Sequence, residues 1–169
     1  VLMRYAQVIP FDVCNGRQIG ISLFVQGCHL HCKGCFNSTA WDFNGGKEWN
    51  DDVKQKFLEL ASRPYIKRIS ILGGEPLSYE NVFDIYELIA EIKDKLPDKV
   101  IWLYTGYLFE YAINNQSSRK VLELCDVVVD DRYVEELKDI GLPWRGSSNQ
   151  RVIDVQETLK QNKIVLYDK

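Results

Sequence analysis

Three cysteines lie close together in the sequence, directly after an apolar segment. Cys28, Cys32 and Cys35 are separated by three residues and then by two, and they follow a run, residues 19–26, that is typical of a buried strand. Thiolates at such short intervals on a loop can each bind a different iron of one four-iron, four-sulfur cluster. Such a cluster has one iron more than this loop has cysteines, so one iron stays open to another molecule, as catalytic metals do. We therefore predict an iron–sulfur site with an incomplete set of protein ligands.

Two other interpretations of these cysteines remain open. A structural zinc ion bound by the three thiolates and by His29 or His31 would form a closed Cys3His site. A disulfide scaffold is disfavoured, because five cysteines is an odd number, the chain is not small, and we expect no secretory segment before them. Cys14 could be a fourth metal ligand, although a lone cysteine beside a turn is more often a small apolar residue. The spacing assigns no role to Cys125.

A second motif is the run Gly73-Gly74-Glu75-Pro76, which follows an isoleucine-rich segment at residues 68–72. Glycines after a strand can bring bare backbone close to a ligand, because no side chain stands in the way. A tight turn is the simpler interpretation of a double glycine taken alone. The glycine loop therefore indicates a ligand site only when it is considered together with the cysteine loop.

Strands and helices alternate along the chain. Strands are predicted over residues 5–9, 19–26, 68–72, 100–104 and 127–129, with shorter candidates at 151–155 and 164–167. Helices are predicted from about residue 50 to Pro64 and over 82–96, 107–113 and 118–124, with a further helical turn at 133–138 and a loop at 142–150. Asn50 or Asp51 is expected to cap the first helix, and Ser78 or Asn81 the second.

This alternation predicts an α/β fold built from parallel βαβ units. The cysteine loop, the glycine loop, Thr105-Gly106 and Asp130 each follow the end of a predicted strand, where parallel folds gather their active-site loops. A closed eight-stranded barrel takes about 250 residues. The 169 residues of this chain therefore predict one domain, residues 1–169, that forms an open, partial (β/α) barrel.

Composition excludes several classes of protein. Hydrophobic residues make up 46% of the chain and charged residues 27%, which is ordinary for a globular protein. No apolar run approaches the length that crosses a bilayer, and no signal-peptide pattern is visible, so we expect a cytoplasmic protein without a membrane partner. The net charge of −3 gives no general basic field, so we expect no nucleic acid partner.

The C-x3-C-x2-C run and the glycine loop together resemble the signature of the radical S-adenosylmethionine superfamily. The resemblance implies that Cys28, Cys32 and Cys35 bind a 4Fe-4S cluster, and that the amino and carboxylate groups of S-adenosylmethionine bind its fourth iron. It implies a partial barrel of the radical S-adenosylmethionine type. Further implied cofactor contacts are the glycine loop (Gly73, Gly74, Glu75) at the amino group, the backbone of Gly34, Cys35 and Phe36 at the adenine, and Thr105 and Asp130 at ribose and methionine.

Other segments resemble one branch of that superfamily, the activating components of the anaerobic (class III) ribonucleoside-triphosphate reductases. They are residues 36–41, 102–107 and especially the run from Trp144 to Arg151. The resemblance implies reductive cleavage of S-adenosylmethionine to a 5′-deoxyadenosyl radical, which generates a glycyl radical on the reductase. It also implies two partners, the catalytic subunit of the reductase and a low-potential electron donor such as flavodoxin, with residues 144–151 as a docking segment.

Three alternatives remain open at this point. The chain could activate a different glycyl-radical enzyme, or act on a small molecule as a deazaguanine synthase does. It could also be a zinc or iron–sulfur module without enzymatic activity.

Overall fold

One open sheet of seven strands organises the chain in the computed structural model, which describes residues 3–168. The strands are β1 (Arg4–Asp12), β2 (Gly20–Val25), β3 (Lys47–Glu48), β4 (Arg68–Gly73), β5 (Val100–Tyr104), β6 (Val127–Asp130) and β7 (Arg151–Asp154). Their order in the sheet is β3-β1-β2-β4-β5-β6-β7. The inner strands β2, β4, β5 and β6 are parallel, whereas β1, β3 and β7 run antiparallel to their neighbours. The predicted α/β class and the open sheet are thus confirmed.

The described residues contain five α-helices, four of them between strands and the fifth after β7. They are α1 (Asp51–Ala61), α2 (Val82–Lys95), α3 (Phe109–Ala112), α4 (Gln116–Leu122) and α5 (Val155–Gln161). Single turns of 3-10 helix occur at Ser38–Ala40 and Glu135–Leu137. Within residues 3–168, no helix combines the length and the apolar character that crossing a membrane requires.

The helices cover one face of the sheet because side chains alternate along each strand. On β5, Ile101 and Leu103 are fully buried in the core that the helices complete. Trp102 between them packs on the opposite face, with Val127 and Val129 of β6. From α2, the core receives Ile85, Leu88, Ile89 and Ile92. The face opposite the helices is therefore free to line a cavity.

A buried arginine holds the segment after β1 against that second face. Arg68 is completely buried, and its guanidinium donates hydrogen bonds to the backbone carbonyls of Asp12, Asn15 and Arg17. The Asp12 carboxylate lies 3.6 Å from the same guanidinium. The loop between β1 and β2 is thus tied to the first residue of β4.

Several predicted boundaries need correction. The first strand was expected to stop before Pro10, but β1 continues to Asp12, because Pro10 coincides with a shift in register between Ile9 and Asp12 where no ladder hydrogen bond is lost. Asn50 caps α1 as predicted, accepting a bond from the Val53 amide. Asn81 begins α2 without capping it, because its side chain donates to backbone carbonyls of other loops instead.

The sequence did not predict two of the observed elements, and it predicted two others as longer than they are. Strand β3 is only two residues long, and α5 buries little more than Val155 and Thr158, so neither has a clear hydrophobic period. The expected helix at 133–138 is one 3-10 turn, and the expected strand at 164–167 is a single bridge between Leu166 and Ile153.

Candidate active site

A cavity of about 460 Å³ opens where the parallel strands end. Its wall takes residues from the cysteine loop after β2, the glycine loop after β4, the end of β5 and the segment that precedes β7. The sequence-predicted residues in this wall are Cys28, Cys32, Cys35, Phe36, Gly73, Gly74, Glu75 and Thr105. The expected convergence of strand-end loops is therefore observed, with Gly34 and Asp130 as exceptions.

The cysteine loop is held in place by backbone hydrogen bonds. The amide of Gly27 donates to the carbonyl of Ala40 at 2.6 Å, and the amide of Cys28 donates to the carbonyl of Trp41 at 3.0 Å. The three thiols are half-buried and unpaired, and all three face the same cavity. Burial raises the pKa of Cys28 and of Cys32 above the ordinary value of a thiol.

The histidines of this loop do not complete a zinc site in the structure. The Nε2 atom of His29 lies 2.8 Å from a carboxylate oxygen of Glu80, and the ring of His31 stacks on Trp41 with 4.4 Å between centroids. Among residues 3–168, no three cysteine, histidine or acidic side chains are grouped as one metal ion requires. Three thiolates around one cavity fit a multi-iron cluster better, because each thiolate then binds a different iron.

The glycine loop is in direct contact with the cysteine loop. The amide of Gly74 donates to the carbonyl of Val25 at 2.9 Å, and the amide of Glu75 donates to that of Gly27 at 2.7 Å. A side chain at position 74 would overlap the carbonyl of Gly27. Glycine at this position therefore lets the ends of β2 and β4 meet beneath the cavity.

The side chain of Glu75 connects the glycine loop to the end of β5. It is almost completely buried, and its carboxylate accepts hydrogen bonds from the Leu77 amide at 2.9 Å, the Thr105 hydroxyl at 2.8 Å and the Gly106 amide at 2.8 Å. Burial raises the pKa of this carboxyl to about 7, although the three donors favour its charged form. Glu75 and Thr105 thus bind each other within the cavity wall.

Asp130 is turned away from the cavity. Its fully buried carboxylate accepts a hydrogen bond from the Phe109 amide at 2.8 Å and another from Nη2 of Arg151 at 2.5 Å. The next residue, Asp131, is the one that lines the cavity. The sequence correctly predicted that the end of β6 lies near the site, but the residue that lines the cavity is Asp131 and not Asp130.

Gly34 forms the turn before the third cysteine. It has a φ of +76°, and a side chain there would overlap the carboxylate of Glu135. Phe36, two residues on, reaches the cavity wall, where its ring lies 5.3 Å from that of Tyr133 and 5.4 Å from the ammonium of Lys138.

Residues 133–150 form a hairpin-like arm over the cavity, where the sequence predicted a helical turn and a loop. Lys138 pairs with Ser147, and the Asp139 amide donates to the carbonyl of Gly146 at 3.1 Å. The inner side of the arm contributes Tyr133, Leu142, Trp144, Arg145, Gly146 and Gln150 to the cavity wall.

Sequence reasoning missed Tyr104, Tyr133, Leu142 and Arg145 as lining residues. A signal existed for Tyr104, which stands directly before Thr105 at the end of β5.

Comparison with known proteins identifies the family. Residues 14–153 match the model of the 4Fe-4S single cluster domain. A protein of Salmonella typhimurium named anaerobic ribonucleoside-triphosphate reductase-activating protein is 40% identical over 152 residues, which cover 89% of this chain and 97% of that protein. Proteins of the same name are 38% identical in Vibrio cholerae, over 88% of this chain and 96% of the relative, and 35% identical in Enterobacteria phage T4, over 89% and 93%. The chain therefore belongs to the family of anaerobic ribonucleoside-triphosphate reductase-activating proteins, within the 4Fe-4S single cluster domains.

Proposed function

We propose that this chain activates an anaerobic ribonucleoside-triphosphate reductase by generating a glycyl radical on it. When bound, the 4Fe-4S cluster and S-adenosylmethionine supply the 5′-deoxyadenosyl radical that removes a hydrogen atom from the reductase glycine. The observation that supports this proposal most directly is the convergence of three unpaired cysteines and the glycine loop on one cavity. The relatives, similar over nearly their whole length, carry the name of this activity.

Within this proposal, the cysteines bind the cluster and the loops bind the cofactor. Cys28, Cys32 and Cys35 take three irons, and the fourth iron is left for S-adenosylmethionine. The remaining cofactor contacts are assigned to the backbone of residues 34–36 for the adenine, to that of residues 73–75 for the amino group, and to Thr105 for ribose or methionine. Asp130 acts as a positioning residue, because its carboxylate joins the start of α3 to Arg151.

We further propose that the sheet is the open, partial barrel typical of radical S-adenosylmethionine enzymes, in a single domain spanning residues 1–169. Four parallel strands with helices on one face and a cavity on the other support this assignment.

We assign the protein to the cytoplasm, where a low-potential donor such as flavodoxin could reduce it. The five cysteines, none of them paired in a disulfide, agree with a reducing compartment.

The reductase is proposed to dock on the arm at residues 133–150. Ile140 at its tip is 92% exposed, and Leu137 and Phe36 nearby are also exposed. Lys138 adds a positive charge beside Phe36. Exposed apolar side chains beside the cavity are suited to bind a protein whose glycine must enter that cavity.

Anaerobic reconstitution with iron and sulfide tests the function. Under strong reductant the protein should cleave S-adenosylmethionine, and a glycyl radical signal should appear only when the reductase is added. Replacing the reductase with other glycyl-radical enzymes tests partner choice. Metal analysis that finds zinc, with no cleavage, would refute the proposal.

A further inference from the structure

Two hydrogen-bond donors in the cavity wall have no partner among the residues that the structure describes. They are the hydroxyl of Tyr104 and the Nε–H group of Arg145, and both atoms are buried. Leaving a buried donor without a partner destabilises a folded protein. Native proteins keep few such groups, and each one at a site needs an explanation, of which a partner bound from outside is one.

The two donors stand on adjoining parts of the wall. Tyr104 follows Trp102 by two residues on β5, so both side chains lie on the face of the sheet opposite the helices. The ring of Trp102 packs edge-on against that of Trp144, with 5.1 Å between centroids, and Arg145 is the next residue. The arm therefore meets β5 beside Tyr104.

The hydroxyl of Tyr104 interacts electrostatically with two charged groups at the end of the strands opposite the cysteine loop. Burial raises its pKa, and the charged groups that act on it are Arg68 and Asp12. Arg68 begins β4, and Asp12 lies opposite Gly20 at the beginning of β2. A cofactor bound to the three cysteines and the glycine loop would lie at the other end of these strands, which would leave the region beside Tyr104 for the substrate.

Arg145 is oriented by its own arm. Its Nη1 atom donates to the carbonyl of Gln150 at 2.8 Å, which holds the planar guanidinium and leaves the Nε–H group for another acceptor. The cavity wall also contains apolar side chains, among them Phe24, Leu72, Val129, Leu142 and Trp144.

The missing partner must offer oxygen acceptors and otherwise fit an apolar wall. A peptide main chain does both, because its carbonyl oxygens accept hydrogen bonds without carrying a full charge. A glycine has no side chain to keep those carbonyls away from the wall. We propose that the Tyr104 hydroxyl and the Arg145 Nε–H group bind main-chain carbonyl oxygens of the glycine-bearing segment of the reductase, an inference that rests on the proposed function.

The test compares two kinetic constants in the reconstituted full-length protein. Tyr104→Phe removes only the hydroxyl, and Arg145→Lys keeps the positive charge but removes the planar Nε–H group. Matched controls outside the cavity are Tyr111→Phe, at an exposed tyrosine, and Arg119→Lys, at an arginine paired with Glu123 on the outer surface. For each variant, the KM for S-adenosylmethionine is measured without the reductase, and the reductase concentration for half-maximal glycyl radical formation is measured by electron paramagnetic resonance.

The proposal predicts a split between these constants. Tyr104→Phe should raise the half-maximal reductase concentration roughly two- to tenfold, and Arg145→Lys roughly tenfold or more, as expected for losing a neutral and a charged hydrogen bond. The KM for S-adenosylmethionine should stay near the value of the unmodified protein, and the two controls should change neither constant.

Two results would overturn the inference. If the KM for S-adenosylmethionine rose in both variants, the carboxylate of the cofactor would be the acceptor. If both variants matched the unmodified protein in both constants, the donors would have no role in binding. Should Tyr104→Phe fail to take up iron, Arg145→Lys alone decides by the same criteria. A lack of activity in the unmodified protein would instead refute the proposed function, so the two failures are distinguishable.

Discussion

The carboxylate of Glu75 accepts a hydrogen bond from the hydroxyl of Thr105, with 2.8 Å between the two oxygens. Glu75 belongs to the loop after β4 and Thr105 directly follows β5, so this bond joins two strand ends across the cavity wall. The carboxylate is thus already occupied by groups of the chain itself. Glu75 thus shapes the site by positioning its neighbours.

The pKa of Glu75, raised by burial to about 7, predicts a titration. Because the folded value lies above the ordinary value of 4.5, the folded chain holds the extra proton between pH 4.5 and about pH 7. The stability that this proton contributes is complete below that window and is lost as the pH rises through it. Infrared spectra at about pH 6 should show a protonated carboxyl band that is weaker in Glu75→Gln, and this difference should disappear by about pH 9. A band in Glu75→Gln equal to that of the unmodified protein would contradict this assignment.

Replacing Arg68 should destabilise the fold strongly. Arg68→Met leaves the carboxylate of Asp12 buried without its positive partner, which typically costs about 3–5 kcal/mol. In the double variant Asp12→Asn with Arg68→Met the negative charge is also gone, so the total cost should be smaller than the sum of the two single changes. Denaturant unfolding of the four proteins measures this coupling. Costs that add within about 0.5 kcal/mol would show that the pair is not coupled.

The cysteines of the loop should be necessary for iron binding, unlike the exposed Cys14. Cys32→Ala should lose the cluster after anaerobic reconstitution, because one iron then has no protein ligand. Cys14 also lines the cavity but lies outside the C-x3-C-x2-C run, so Cys14→Ser is the discriminating comparison and should bind iron and sulfide in normal amounts. Full iron content and full cleavage activity in Cys32→Ala would show that the ligands are assigned wrongly.

Ile140 should contribute to reductase binding. Ile140→Thr replaces an apolar group at the tip of the arm and should raise the Kd for the reductase roughly five- to tenfold. Val100→Thr also replaces an apolar β-branched side chain with threonine, at an exposed valine at the opposite end of the strands, and its Kd should stay unchanged. Calorimetry with the purified reductase measures both. Equal affinities in the two variants would place the docking surface elsewhere.

Local patterns in the sequence predicted the centre of the fold well. The inner strands are short apolar runs, and the cysteine and glycine loops follow two of them, so both the parallel sheet and the shared cavity could be expected. Helix α5 was missed because its surface is mostly polar, although Asp154, which accepts a bond from the Glu157 amide, carries a capping signal. A capping residue alone is weak evidence for a helix when the residues after it show no helical spacing of apolar side chains.

Long-range geometry accounts for what the sequence could not predict about the site. Asp130 and Asp131 are both acidic and adjacent, and only the bonds from Phe109 and Arg151 decide that the first one turns inward. Likewise, Arg145 reaches the cavity because its arm packs on Trp102, more than forty residues earlier in the chain. The roles of individual site residues in cofactor binding remain predictions.

Low-temperature electron paramagnetic resonance of the reduced, reconstituted protein tests the central claim most directly. The proposed three cysteine ligands would leave one iron of the cluster for S-adenosylmethionine, so adding the cofactor should change the line shape and g values of the cluster signal. A spectrum that is identical with and without saturating S-adenosylmethionine, because a side chain of this protein already binds the fourth iron, would contradict the account.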